Sequence, residues 1–374
     1  MTKALNTYES LAAFAPDWLA APGETIAELL EERGWSQATF AARTGFTAKH
    51  INQLLKGEAS ITQQTALILE TVLGSTARYW LSLEAQYQEQ LARRAAEKGF
   101  AGDAAWLKEL PLADMVKFGW VKKHADKAQQ VMECLRYWGV ASVATWRAQY
   151  EQPVAAYRAA PKLVRVPASV SAWLRRGEQA AEKMACGDYS REGFLAVLQQ
   201  VRALTSEQDP TVFIPKLKAL CAGVGVAVVV EPAPKGCPVS GAAKWLGHNS
   251  SRALIMLSLR GKSDDKLWFS FFHEASHLIL HGKRLTFLDI LGEDGLDNKE
   301  EAEADAFARD FLIPPAAYNS FLSRFEFGEI NITRFAKAQG IAPGIVLGRL
   351  QFDKHVLWSH LNHLKVRYTW KHED

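Results

Sequence analysis

A chain of 374 residues is longer than the roughly 100 to 200 of one domain, which points to two or three domains with sizeable cores and excludes a minimal peptide module. Its 48% hydrophobic and 23% charged residues exclude wholesale disorder, and its longest apolar stretch, Gly223 to Val230, is far short of the roughly 20 residues that span a bilayer. The net charge of +3 divides into −4 over residues 1–92, +7 over 93–220 and zero over 221–374, so nucleic-acid contact in the N-terminal part needs a local basic patch rather than a domain-wide field.

The segment MTKALNTYES lacks a signal-peptide core, and a soluble cytoplasmic protein with no membrane partner is expected. Residues 1–92 are expected to form a domain of short helices. Gly23-Glu24-Thr25 leads into IAELLEERG, where Ile26, Leu29 and Leu30 form an apolar stripe and Gly34 is the stop. Ser36 can cap a second helix that Gly45 ends, and Thr47 a third, AKHINQLLK, followed by Gly57; residues 61–73 and 76–90 extend the series. Two short helices about a turn at Gly45, with Phe40, Ala41, Ile51 and Leu54 facing one core, make a helix-turn-helix pattern whose third helix is the reader. In a major groove, Lys49, His50, Asn52, Gln53 and Lys56 offer donors and acceptors for base edges and phosphates, with Gln37 and Thr47 against the backbone. A homodimer on a double-stranded DNA operator is expected; the acidic balance leaves open a bundle that only dimerises or senses a partner.

Residues 93–210 read as a helical middle segment, whose tryptophans at 106, 120, 138, 146 and 173 serve better as core anchors than as a ligand box. The positive excess is either a solvated face or an auxiliary phosphate-binding surface. Residues 211–374 change texture. After a helix-like stretch to about Leu220, GVGVAVVVE, VSGAAKWL and RALIMLSL read as strands, then KLWFSFFHEASHLILHG and KEEAEADAFARDFLI as helices, the second ending at Pro314-Pro315. Cys134, Cys186, Cys221 and Cys237, without a CxxC pair, fit reduced core thiols. The expected fold is multidomain: an all-α helix-turn-helix domain, a mostly helical middle and an α+β C-terminal domain with a small sheet.

His273-Glu274-Ala275-Ser276-His277 is an HExxH motif inside the first of those C-terminal helices. At i and i+4 the two histidines share a helix face, so both imidazoles can reach one cation with Glu274 beside them. Glu301, and Asp305 one turn later, supply a third, carboxylate ligand and a carboxylate able to fix a histidine tautomer. Two histidines and one carboxylate leave the fourth position of a zinc site open for water, and Glu274 is placed to take and return its proton; a closed structural site would more commonly use four ligands rich in cysteine. His281 lies about 12 Å from His273 along a straight helix and is expected to end the helix rather than bind the metal. Glu300 and Glu303 are expected to point elsewhere, and no spacing separates His248, His355, His360 and His363 from surface histidines. The acidic stretch 293–297 between the ligand helices is either a restraint on the site or a passive connector.

Gly241-Ala242-Ala243-Lys244-Trp245, WFSFFHEASHLILHGKR, EEAEADAFARDFLIP and GIAPGIVLGRLQ together resemble the ImmA/IrrE metallopeptidase family over somewhat more than a third of the chain. The resemblance implies a zincin-like domain, Zn2+ held by His273, His277 and Glu301, Glu274 as catalytic acid/base, and cleavage of transcriptional repressors under stress. Ser276 stands where many members have Gly. Residues 23–90 are similar to the HigA antitoxin branch of the XRE helix-turn-helix family, which adds a small toxin as a further partner. The expected function is a DNA-binding regulator whose zinc endopeptidase cleaves a regulator, in trans or in its own chain, to switch transcription. Its rivals are a non-catalytic zinc- or ligand-sensing regulator or antitoxin, and an enzyme whose helix-turn-helix part only docks its substrate.

Overall fold

A computed structural model describes residues 20–151, 167–281, 287–290 and 299–370; the acidic stretch 293–297 lies outside the described residues. The chain divides into two compact units between Gly102 and Asp103, where sequence reading placed boundaries after 92 and 210. The difference has a local cause. Nothing breaks the helical run from Ala77 until Gly99, so position 92 falls inside one helix, Ala77–Gly102, and residues on both sides of 210, such as Leu198 and Phe213, share one core.

The N-terminal unit contains α1 (Pro22–Glu32), α2 (Gln37–Thr44), α3 (Ala48–Leu55), α4 (Gln63–Leu73) and α5 (Ala77–Gly102). Caps fix its helix starts: the hydroxyls of Ser36 and Thr47 accept the N–H groups of Thr39 and His50 at 3.1 and 3.2 Å. Gly45 ends α2 at φ +74°, a left-handed conformation that costs a glycine little, and so sets the turn into α3. Ile26, Phe40, Ile51, Leu69 and Trp80 are wholly buried together, each apolar side chain of that kind contributing roughly 1.5–3 kcal/mol.

The second unit begins with α6 (Leu112–Lys117), α7 (Lys127–Trp138), α8 (Val143–Trp146), α9 (Pro167–Glu182), α10 (Arg191–Leu204) and α11 (Pro210–Ala222). Trp106, Trp138 and Trp146 pack on one another with ring centroids 5.2–5.9 Å apart, which makes them core anchors. There follow β1 (Val226–Val230), β2 (Val239–Leu246), β3 (Arg252–Leu257), α12 (Asp264–Leu280), β4 (Phe287–Ile290), α13 (Lys299–Leu312), α14 (Pro315–Leu322), α15 (Glu329–Gln339) and α16 (Pro343–Phe352). The sheet order is β1-β3-β2-β4, with β1 and β3 parallel and the other pairs antiparallel. Three of these strands follow the sequence pattern; β4 does not.

Helix α12 is buried on nearly every side, with Trp268, Phe271, Phe272, Ala275 and Leu278 in the core. Such a helix is held by packing rather than by its own amphipathicity. Its start is tied to a late part of the chain: the Asp264 N–H donates to Val366 O at 3.0 Å, and Lys365 Nζ lies 2.6 Å from the Asp265 carboxylate. The four cysteines are unpaired, and Cys134, Cys221 and Cys237 are buried.

Candidate metal centre and reader helix

Helix α12 places His273 and His277 one turn apart, and α13 brings Glu301 against them. His273 Nε2 lies 3.1 Å from His277 Nε2 and 3.0 Å from Glu301 Oε2, and His277 Nε2 is 3.6 Å from Glu301 Oε1. These donor atoms all fall within 4.8 Å of one another. A tetrahedral zinc site with bonds of about 2.0–2.1 Å has edges of about 3.3 Å, so the two imidazole nitrogens and the Glu301 carboxylate stand at metal-ligand spacing.

The far nitrogens decide what this cluster can hold. His273 Nδ1 lies 2.9 Å from Asp305 Oδ1; a carboxylate only accepts, so Nδ1 carries a proton, and a neutral His273 then presents a lone pair at Nε2. That lone pair faces the Glu301 carboxylate, another acceptor. With His273 neutral these two acceptors are opposed at 3.0 Å, a conflict that a proton on His273 Nε2 relieves for this pair and that a divalent cation relieves for all three groups at once. Burial holds the His277 pKa below its ordinary value. Burial pushes Glu301 the other way, but its bonds to His273 and His277 prevail and hold it down at about 2. A neutral imidazole and an ionised carboxylate are the forms a metal binds.

His277 has a comparable support, which sequence reasoning did not find. Its Nδ1 lies 2.9 Å from His281 Nδ1, and His281 Nε2 is 3.4 Å from Glu303 Oε2. His281 does end α12, its N–H donating to His277 O at 3.2 Å. Glu303, expected to point elsewhere, lies outside the donor cluster and reaches His281. The signal is a second i,i+4 histidine pair, His277 and His281, which sets the two rings side by side on one helix face.

Glu274 is wholly buried, and its room is made by a residue that motif reading passed over. A β-carbon on Gly241 of β2 would stand 2.6 Å from Glu274 Oε1. The Ser276 hydroxyl donates to His273 O at 2.6 Å, so it is satisfied where it is buried. His355, His360 and His363 lie outside the donor cluster.

In the N-terminal unit, Ile51 and Leu54 bury one face of α3, which turns Lys49, Asn52 and Lys56 to solvent, with His50 and Gln53 half-buried beside them. Thr47 is exposed and caps the helix, Gln37 is exposed at the start of α2, and the His50 ring stands edge-on to Phe46 at 4.9 Å.

Fold and site together define a helix-turn-helix DNA-binding regulator carrying a metallopeptidase-type domain. Residues 26–80 match the helix-turn-helix family and residues 225–335 the IrrE N-terminal-like domain. The chain belongs to the helix-turn-helix transcription regulators through its N-terminal unit, in combination with that second domain. An uncharacterized HTH-type transcriptional regulator of Escherichia coli (strain K12), YddM, is 35% identical over 63 residues, which are 17% of this chain and 67% of that protein. Two solved structures share 22% of this chain and 89% of their own: a putative antidote protein of a plasmid maintenance system from Nostoc punctiforme, 30% identical with a TM-score of 0.21, and an addiction module antidote protein of a HigA family from Coxiella burnetii, 29% identical with a TM-score of 0.21. No described helix is long and apolar enough to cross a membrane.

Proposed function

We propose that the protein is a DNA-binding transcription regulator whose C-terminal domain is a zinc-dependent endopeptidase that cleaves a regulator protein, in trans or in its own chain, to switch transcription under stress. The observation that carries this reading is the convergence of His273, His277 and Glu301 next to the buried carboxylate of Glu274. Zinc held by those three residues would supply Lewis acidity, polarising a peptide carbonyl and acidifying water near neutral pH. Glu274 accepts a proton at a carboxylate oxygen and returns it to the departing amine. Asp305 and His281 hold the two imidazoles in the tautomers whose Nε2 lone pairs face inward.

On the DNA side, α3 is the reader. Lys49, His50, Asn52 and Gln53 face base edges, Lys56, Gln37 and Thr47 face the backbone, and a homodimer spans two half-sites of an operator in the cytoplasm. The likeness to HigA-type antitoxins adds a small toxin as a partner to test.

The deciding experiment compares proteins cut in cells carrying the parent or Glu274→Gln under an inducing stress. A regulator cleaved only with the parent, at equal zinc content in the two proteins, is the expected result. Cleavage in both strains, or in neither, would overturn the peptidase reading, the second in favour of a sensor.

A further inference from the structure

A cavity of about 220 Å³ opens between α12, α13 and α16. Its walls include Phe269, Leu312, Ile345, Phe352 and Trp358, and His273, Glu274, His277 and Glu301 do not line it. Asp305 does. Asp305 also bonds Nδ1 of His273, so the cavity wall includes the carboxylate that supports that ring.

The charges on its walls do not cancel. Asp265 is paired with Lys365 at 2.6 Å, Asp305 with His273 at 2.9 Å, and Arg349 with Asp353 at 2.6 Å. Lys266 and Arg309 remain. Both are half-buried lining residues, and among the described residues neither side chain has a hydrogen-bond or ion-pair partner. Half-buried cations without acceptors in an apolar cavity bear a desolvation cost that an anion relieves, most strongly where a guanidinium can grip a carboxylate with two bonds. At the mouth, Phe352 and Trp358 are each 57% exposed, and Phe269 adds a third aromatic face.

We propose that this cavity is a binding site for a small aromatic carboxylate, its ring against Phe269, Phe352 and Trp358 and its carboxylate on Arg309 with Lys266 beside it. Aromatic side chains supply the apolar contact and preferred ring geometries, and the two cations select the acid over neutral compounds of the same shape. Binding itself depends only on the cavity; influence on the metal centre through Asp305 rests on the metallopeptidase reading.

The test is calorimetric titration of the full chain, loaded with zinc and stripped of it, with 3-phenylpropionate and its neutral amide, 3-phenylpropionamide. The acid should bind saturably at one site and the amide at least about tenfold more weakly. Arg309→Gln should weaken the acid towards the level of the amide while leaving the amide and the zinc content unchanged. Equal binding of acid and amide by the parent, no saturable binding of the acid, or an Arg309→Gln variant that binds the acid like the parent would each overturn the proposal. Saturation without zinc keeps this outcome separate from that of the peptidase reading.

Discussion

A β-carbon on Gly241 would stand 2.6 Å from Oε1 and 2.8 Å from Cγ of Glu274, so β2 and α12 can hold that carboxylate between them only where the strand carries no side chain. Gly241→Ala should therefore displace Glu274 without touching a metal ligand. Cleavage of the target should fall by at least about tenfold, stability by about 1–3 kcal/mol, and zinc content not at all. A cleavage assay, denaturant unfolding and elemental analysis check the three parts, and full activity in the variant would remove the steric argument.

The proposed metal ligands and their supports should separate by degree. His277→Ala should lose stoichiometric zinc, whereas Asp305→Asn and His281→Ala should bind it about 10–100-fold more weakly, since the first takes the charge from the acceptor of one Nδ1 proton and the second removes the partner of the other. Glu274→Gln should keep its zinc and cleave about 10²–10⁴-fold more slowly. Competition with a chelator measures the first three, and equal affinities for Asp305→Asn, His281→Ala and the parent would deny both supporting roles.

Asp264 makes stability depend on pH. Burial, and then the charge of Asp265, push its carboxyl up to about 7, above the value of about 3.9 in an unfolded chain. The folded state then holds the proton more tightly than the unfolded one, so this group's contribution is most favourable in acid, declines as pH rises between about 4 and 7, and stays low above that. Asp264→Asn, which cannot ionise, should be more stable than the parent at about pH 8 by up to about 4 kcal/mol, and the gap should narrow towards about pH 5. Denaturant unfolding at the two pH values measures it; a constant gap would mean that the carboxyl titrates normally.

On α3, the proposed reader helix, Gln53→Ala should relax base preference, because an amide can pair with adenine in two places. Lys56→Ala should weaken specific and nonspecific DNA alike and reduce the salt slope by about one. Binding titrations at several salt concentrations distinguish the two effects, and parental behaviour from both variants on an identified operator would move recognition off α3.

What the sequence disclosed was mainly what lies within one turn of chain. The caps at Ser36 and Thr47, the turn at Gly45, the HExxH pair and the Glu301–Asp305 pair all depend on spacings of three or four residues. The strands β1, β2 and β3 announced themselves by valine and alternating apolar residues. Contacts between distant segments left little trace: the motif that begins at Gly241 does not say that Glu274 lies on it, and Glu303 looks like one more acid on a charged helix until α13 sets it against His281. Edge strand β4 is only four residues long, too short for a period to register. The boundary near residue 92 failed for the opposite reason, since a continuous helix offers no punctuation where one unit ends.

The tie between α12 and residues 365–366 also has a meaning in time. Lys365 stands 100 residues beyond Asp265, so on a ribosome the helix carrying both histidines emerges long before the partners that fix its start. The Asp265 carboxylate has to wait for its cation, and Asp264 for the Val366 carbonyl that receives its N–H. A nascent chain therefore carries the whole HExxH motif while the helix around it is still unfastened, and the domain closes only when nearly all of this sequence has been made.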